Sequence, residues 1–256
     1  MPNRIKQRIY INSYDLESTE GIIHTRVYIP ELIEKFPAIL FFSGFPGYQR
    51  NFDLALELAL SGFAICTFDY PGTWNSEGKF HPLVGLKVAN EIKQFFLNLL
   101  PTRTSWGIFG HSWGATLALL YGAQDQSCNS IAVLAVVNDL LSITKGTRES
   151  VAQMFINDVA PLGIEIDREK LEADLDIIAS QNILKDVVPH IKQPVLLIHG
   201  LNDEEVSPSQ SQQIAEMSNN KFTLKMLPNE GHSPKNRKKL VDILLEWYKT
   251  TLRGRE

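Results

Sequence analysis

Short apolar runs alternate with longer amphipathic segments along most of the 256-residue chain. Residues 38–42 are uniformly apolar, which is typical of a parallel strand buried on both faces. From Pro82 to about Leu100, apolar residues recur at intervals of three or four positions, which predicts a helix with one buried face. This alternation predicts an α/β fold with a mostly parallel sheet and helices on both of its faces.

The same pattern predicts eight strands and places helices between them. We expect strands at 8–12, 21–29, 38–42, 63–69, 106–109, 131–137, 194–199 and 222–227. The first two should form an antiparallel pair at the sheet edge, joined by the polar segment 13–20. We expect helices at 51–61, 82–100 and 113–121, one that starts at Ser207 with Gln210 completing a capping box, and a last one from Ser233 to about Leu252.

The interval between Val137 and Pro194 is too long for a simple crossover between neighbouring strands. It contains two stretches with helical spacing, at 151–159 and 168–180. We therefore predict one domain over residues 1–256, with a small helical cap within 138–190 that lies over the sheet. The alternative is that these helices pack on the domain as ordinary crossover structure.

Composition and charge narrow the classes of function. The chain has 25 Lys and Arg residues against 29 Asp and Glu, so we predict no nucleic-acid partner, which would need a basic surface. Two cysteines are too few for a disulfide framework. The N-terminal residues do not resemble a secretory signal, and the uncharged segment 104–124 is too rich in glycine for a membrane span. We expect a cytoplasmic protein without a membrane span; the sequence leaves open whether it forms a homodimer.

One short motif points to chemistry. Gly110-His111-Ser112-Trp113-Gly114 follows a predicted strand and opens a helix rich in Ala and Leu. In such a turn the serine hydroxyl is exposed between strand and helix, and the first helical amides face the reaction centre. The flanking positions need glycine because a side chain there would collide with neighbouring backbone. Ser112 is therefore the candidate nucleophile, although a buried serine in a glycine-rich turn is also common.

A serine nucleophile needs a base, and the base needs an orienting acid. Asp203 follows the seventh predicted strand and His232 follows the eighth. Both therefore lie in loops at the carboxyl ends of strands, where ligands bind in open α/β sheets. With Ser112, they occur in the chain order Ser, Asp, His. Asp139, just after the sixth strand, is the alternative position for the acid.

With these residues in place, the chain resembles an α/β-hydrolase over nearly its whole length. The other matching segments are Ser43-Gly44-Phe45-Pro46-Gly47, Asp69-Tyr70-Pro71-Gly72, His199-Gly200-Leu201-Asn202-Asp203 and Gly231-His232. Residues 75–80 and the compact cap resemble intracellular bacterial esterases of the cinnamoyl (feruloyl) esterase and monoacylglycerol lipase type. Peptidases of the prolyl-oligopeptidase type share much of the pattern. Many relatives have His-Gly where this chain has Ser43-Gly44, and Gly-X-Gly-X-Ser where it has Gly72-Thr73-Trp74-Asn75-Ser76.

The resemblance implies further site residues. It implies an oxyanion hole made by the backbone amides of Phe45 and Trp113, which would bind the negative oxygen of a tetrahedral intermediate. The candidates for an aromatic substrate-binding wall are the side chains of Phe45, Tyr48, Trp74 and Trp113. Aromatic residues near a glycine-rich turn are as often plain core. The triad chemistry needs no cofactor.

The remaining histidines and loop charges carry no chemistry in this interpretation. The histidines lack the paired spacing of metal ligands, so we predict no metal site; they are His24, His81, His111, His190 and His199. Three glutamates are expected to be solvated loop charges, namely Glu204, Glu205 and Glu230. A solvated surface is also expected for the basic cluster Lys235, Arg237, Lys238 and Lys239.

The sequence thus predicts a serine hydrolase that cleaves carboxylic esters of small to medium acyl or aryl groups through an acyl-enzyme. Its expected partner is a small-molecule ester. A serine peptidase or amidase would use the same residues, and a non-enzymatic ligand-binding protein on the same fold is the third alternative. Dehalogenase or epoxide-hydrolase chemistry would need an aspartate at the position of Ser112.

Overall fold

A computed structural model describes residues 8–31, 35–45, 50–100, 103–144, 146–181 and 183–253. Its centre is one eight-stranded sheet with the strand order β1-β2-β4-β3-β5-β6-β7-β8. The strands are β1 Ile9–Ser18, β2 Gly21–Pro30, β3 Phe36–Phe42, β4 Ala64–Phe68, β5 Arg103–His111, β6 Ser130–Leu134, β7 Val195–Gly200 and β8 Thr223–Leu227. β1 and β2 are antiparallel to their neighbours, and all later pairs are parallel. The predicted fold class is confirmed.

Eight α-helices lie within the described residues. They are α1 Phe52–Leu60, α2 Val84–Leu99, α3 Trp113–Gln124, α4 Arg148–Val159, α5 Arg168–Gln181, α6 Ile183–Val187, α7 Ser209–Met217 and α8 Arg237–Tyr248. Short 3₁₀ turns at 141–143, 160–162 and 188–190 connect the elements between β6 and β7. No helix in the described part of the chain is long and apolar enough to cross a membrane.

The uniformly apolar β3 serves two cores, one on each face of the sheet. Leu40 and Phe42 belong to the larger core, which α2, α3 and the helices between β6 and β7 cover. Ile39 and Phe41 belong to the smaller core beneath α1 and α8. Because successive side chains of a strand point to opposite faces, a central strand covered on both faces has no position left for a polar residue.

Three local expectations differ from the structure. The edge hairpin is longer than expected, because β1 continues to Ser18 through most of the segment expected to be a loop. Within that segment Tyr14 and Leu16 are half-buried while their neighbours are exposed, so the polar residues occupy the solvent face of an edge strand. Alternation with period two is the signal that predicts such a strand.

The other two differences concern helix starts. The capping box at Ser207 is absent, because Oε1 of Gln210 instead accepts hydrogen bonds from the amides of Asn138 and Asp139, at 2.7 and 2.8 Å. α8 begins at Arg237 and not at Ser233, and Oδ1 of its N-cap Asn236 accepts from an amide in the first turn. In both places the hydrogen bonds that a side chain makes differ from those that local spacing predicts.

The helices between β6 and β7 are attached to the rest of the fold through the segment before α2. Phe80 pairs with Ile166 in a short parallel bridge. Asp174 of α5 is buried, and its Oδ2 lies 2.6 Å from Nδ1 of His81 and accepts from the amide of Leu83 at 2.7 Å. These contacts hold α5 against the segment that leads into α2.

Candidate active site

Ser112 lies on a strained turn between β5 and α3. Its φ of 55° and ψ of −125° are unusual for a residue with a side chain and mark local strain. The turn is packed so tightly that a Cβ on Gly114 would lie 2.2 Å from the carbonyl oxygen of Ser43, and one on Gly110 would lie 2.4 Å from that of Gly114. The two glycines are therefore required by space, as the motif predicts.

His232 and Asp203 meet at the carboxyl edge of the sheet. Nδ1 of His232 lies 2.8 Å from Oδ2 of Asp203. The other carboxylate oxygen, Oδ1, accepts hydrogen bonds from the amides of Glu205 and Val206 at 2.9 and 2.8 Å. Burial alone would raise the pKa of the Asp203 carboxyl, but hydrogen bonds from His199 and His232 outweigh it and hold the pKa well below its usual range. The acid is thus ionised at neutral pH.

A second histidine, His199, contacts the same carboxylate. Its Nε2 lies 2.9 Å from Oδ2 of Asp203 and 3.0 Å from the carbonyl oxygen of Val206, and its Nδ1 lies 2.7 Å from Oγ of Ser211. Because a carbonyl can only accept, Nε2 carries the proton and donates to both oxygens. The sequence analysis assigned no role to His199. Its position on a buried strand, four residues before Asp203, was the signal that could have indicated this contact.

One small cavity of about 220 Å³ contains both Ser112 and His232. Its other lining residues are Gly44, Phe45, His111, Glu205 and Ser233. In the described part of the chain, Oγ of Ser112 makes no hydrogen bond to His232; in sites without substrate such contacts are often long and tighten on binding. The structure therefore brings the candidate nucleophile and base to one space, with the acid behind the base.

The backbone segments that carry the two candidate oxyanion-hole residues lie next to Ser112. Trp113 is the first residue of α3, and the first amides of a helix have no partner within the helix. The loop that carries Phe45 touches the turn, since a Cβ on Gly44 would lie 3.1 Å from Cβ of Ser112. Both backbone segments therefore flank the nucleophile.

Three of the four candidate wall aromatics lie within the described residues, and they have different surroundings. Of these three, only Phe45 lines the cavity, and its ring packs against Phe80 and Phe155 with centroid distances of 5.1 and 4.5 Å. The Trp113 indole is buried elsewhere and donates from Nε1 to the carbonyl of Pro82 at 2.7 Å.

Trp74, the third candidate that the structure describes, does not line this cavity. Trp74 is partly exposed outside it, with the Arg50 guanidinium 4.8 Å from its ring centre. Tyr48 lies outside the described residues.

His111, the residue before the candidate nucleophile, contacts the backbone of His232. Its Nε2 lies 3.2 Å from the carbonyl oxygen of His232, and its Nδ1 lies 3.4 Å from Nδ2 of Asn51. Burial, with a smaller contribution from the nearby His232, lowers the pKa of His111 to about 3. A neutral imidazole with its proton on Nε2 satisfies both contacts.

Two of the loop glutamates are not simply solvated. Glu205 is exposed, but it lines the cavity, and its Oε2 lies 3.9 Å from Nε2 of His232. Glu230 is buried, and its Oε2 accepts from the amides of Lys235 and Asn236 at 2.6 and 3.4 Å, which stabilises the turn before α8.

The alternative acid Asp139 is exposed, and its Oδ1 accepts from two amides of the following 3₁₀ turn.

Within the described ranges, no three His, Cys, Asp or Glu side chains are grouped so that they could hold a metal ion.

Comparison with known proteins places this chain in a family. Residues 37–176 match the sequence profile of the alpha/beta hydrolase fold, and the chain belongs to that family. A comparison with curated proteins finds no sequence match.

Solved structures share the fold at low sequence identity. Est1E from Butyrivibrio proteoclasticus, in a structure with ferulic acid bound, superposes with a TM-score of 0.73 at 17% identity, over 94% of this chain and 99% of Est1E. The alpha/beta hydrolase GrgF from Penicillium sp. sh18 gives 0.74 at 16% identity, over 95% and 99% of the two chains. A puromycin-hydrolyzing peptidase of Mycobacterium tuberculosis gives 0.69 at 18% identity, over 95% of this chain but 39% of the peptidase.

Proposed function

We propose that this hydrolase cleaves carboxylic esters through an acyl-enzyme, with Ser112 as nucleophile, His232 as general base and Asp203 as the acid that orients His232. The observation that carries the proposal is the shared cavity: the strained Ser112 turn and the Asp203-bound His232 line the same small space. A nucleophile, an oriented base and helix amides converging on one point form the arrangement that acyl transfer requires.

In the first step, Oγ of Ser112 attacks the carbonyl carbon of the ester while Nε2 of His232 takes the hydroxyl proton. The N–H at Nδ1 of His232 donates a hydrogen bond to Oδ2 of Asp203, so the imidazole has its free electron pair on Nε2. The ionised Asp203 then stabilises the imidazolium that forms. The amides of Trp113 and Phe45 bind the negative oxygen of the tetrahedral intermediate.

The intermediate collapses when Nε2 of His232 gives its proton to the oxygen of the leaving alcohol. The carbon–oxygen bond to the alcohol breaks, and the acyl group stays on Ser112. A water molecule then enters, His232 takes one of its protons, and the resulting attack on the acyl-enzyme releases the carboxylic acid. The chain's own residues therefore account for every proton transfer in the cycle.

The size and chemistry of the cavity favour small to medium acyl or aryl groups. At about 220 Å³ it lies below the range of roughly 300–1,000 Å³ usual for ligand pockets. The Phe45 ring, backed by Phe80 and Phe155, gives one side of it an apolar surface. Est1E, similar over nearly the full length of both chains, has been observed with ferulic acid, an aromatic carboxylic acid. That likeness supports an acid product of this size.

Amide hydrolysis is the second candidate. The likeness to the puromycin-hydrolyzing peptidase supports it, because the same three residues could transfer a proton to an amine leaving group. The chain matches only 39% of that peptidase, so the rest of the peptidase has no counterpart in the comparison. An ester and a peptide amide with the same acyl group, compared by kcat/KM, discriminate between the two candidates.

The proposal is tested by labelling with a fluorophosphonate probe, followed by assays on p-nitrophenyl and methyl hydroxycinnamate esters. Ser112→Ala should abolish labelling and lower ester turnover by about 10⁴-fold or more while circular dichroism stays unchanged. Ser233→Ala is the matched control, because Ser233 lines the same cavity but has no role in the triad. Labelling of another serine, or Ser112→Ala activity within about tenfold of the wild type, would contradict the assignment.

A further inference from the structure

The lining of the cavity around Ser112 contains an acidic side chain and no Lys or Arg among the described residues. Among its described lining residues, Glu205 is the only Asp, Glu, Lys or Arg side chain. His111 adds no charge at neutral pH, because burial and the nearby His232 lower its pKa to about 3. Glu205 is therefore the acidic side chain that faces a substrate in this cavity.

The carboxylate of Glu205 is held near the reacting groups through its backbone. The Glu205 amide donates to Oδ1 of Asp203 at 2.9 Å, so the carboxylate that orients His232 also fixes the loop from which Glu205 extends. Oε2 of Glu205 lies 3.9 Å from Nε2 of His232. The exposed side chain therefore starts from a fixed point beside the imidazole edge that faces the cavity.

That edge belongs to the leaving-group side of the reaction. Nε2 of His232 is the atom that gives a proton to the departing alcohol oxygen, so the alcohol portion of an ester must lie next to it. We propose that Glu205 is a specificity-determining residue that favours esters whose leaving alcohol carries a positively charged ammonium group. This inference rests on the proposed function and deepens it.

The cations of an adjoining hollow do not cancel this preference. A neighbouring hollow of about 630 Å³ shares Ser233 with the cavity and contains Arg50, Lys235 and Arg237. Arg50 pairs with the buried Asp69 at 2.9 Å, and Arg237 forms a bidentate pair with Asp53, which lies in the same hollow. Two of the three cations are thus already neutralised by carboxylates, which leaves Lys235 as the main competitor.

The test compares three butyrate esters that share one acyl group. Their alcohols are choline, its uncharged isostere 3,3-dimethylbutanol, and an alcohol of similar length that ends in a carboxylate. The wild type should prefer the choline ester, and the ratio of its kcat/KM to that of the neutral ester should fall about three- to tenfold in Glu205→Gln, the range expected for one partly solvated charge pair. Raising ionic strength should reduce the wild-type ratio in the same direction.

Glu204→Gln is the matched control. Glu204 is an exposed glutamate next in sequence, but it does not line the cavity, so its substitution should leave the ratio unchanged. Equal ratios in the wild type and Glu205→Gln, or a preference for the carboxylate ester, would overturn the inference about Glu205. Ser112-dependent hydrolysis of the neutral ester would still support the proposed function in that case. Absence of any Ser112-dependent ester hydrolysis would overturn the proposed function itself, and this inference with it.

Discussion

Nε2 of His199 lies 2.9 Å from Oδ2 of Asp203, the oxygen that also accepts from Nδ1 of His232 at 2.8 Å. Oδ1 of the same carboxylate accepts from the amides of Glu205 and Val206. The acid is therefore fixed in orientation by four donors, only one of which belongs to the proposed triad. His199 is fully buried and does not line the cavity, and Asp203 is the member of the proposed triad that it contacts.

His199 is expected to be a positioning residue. His199→Leu removes a hydrogen bond to a charged acceptor, a contribution of about 1.5–3 kcal/mol, and should lower kcat about 10- to 150-fold with little change in KM. His199→Gln can still present an N–H to Asp203 and should recover most of the lost kcat. Ester kinetics on both variants and the wild type, across pH, give the comparison. Equal losses of kcat in the two variants would indicate a merely structural role.

The identity of the acid is tested by a pair of substitutions. Asp203→Asn should keep His232 in place but favour the wrong tautomer, lowering turnover by roughly 10⁴-fold. Asp139→Asn should change turnover less than about threefold, because Asp139 caps a 3₁₀ turn and makes no contact with His232 in the described structure. The reverse ranking would assign the acid to the loop after β6.

Buried His111 should make stability depend on pH. Its folded pKa is lowered to about 3 by burial, whereas in the unfolded chain it binds a proton below about 6.5. As pH falls through 6.5 the unfolded state gains a proton that the folded state refuses, so stability decreases until about pH 3. At pH 5 this effect of His111 lowers the free energy of unfolding by roughly 2 kcal/mol. Urea unfolding at pH 7 and pH 5 measures it.

His111→Gln retains a neutral donor for the His232 carbonyl but cannot titrate. Its free energy of unfolding should therefore fall by roughly 2 kcal/mol less than that of the wild type between pH 7 and pH 5. His190→Gln, at an exposed histidine, is the control and should behave as the wild type. The same loss of stability in wild type and His111→Gln would mean that His111 is not held neutral.

The volume of the cavity predicts the dependence on acyl length. For p-nitrophenyl esters, each methylene that the cavity accommodates should contribute about 1 kcal/mol to transition-state binding, and kcat/KM should then fall once the Phe45 wall is reached. Phe155→Ala removes the ring that packs on Phe45 at 4.5 Å and should move the optimum to longer chains.

Phe95→Ala, a similar truncation beside Tyr14 and remote from the cavity, is the control for this change. An unchanged optimum in Phe155→Ala, or activity that keeps rising with emulsified long-chain esters, would contradict a wall at this position.

Much of the fold could be predicted from local sequence patterns. The uniformly apolar β3 requires cover on both faces, and the regular apolar spacing of α2 requires a buried face, so both elements were located to within a few residues. The Ser112 turn was equally predictable, because its steric needs are met by glycines two residues away on either side. Where these predictions failed, at the ends of β1 and at the starts of α7 and α8, the deciding contacts were side-chain or cross-strand partners.

The sequence by itself therefore determined the α/β architecture and the strained serine turn, since both depend on neighbours close in the chain. The order of Ser112, Asp203 and His232 along the chain is likewise a property of the sequence alone. Only the tertiary structure decided that His199 contacts Asp203, that His111 supports His232, and that Glu205 faces the cavity while the Trp113 indole does not. These relationships depend on how loops from different strands meet at one edge of the sheet. Burial and competition for hydrogen-bond partners select them, and neither quantity exists until the chain has folded.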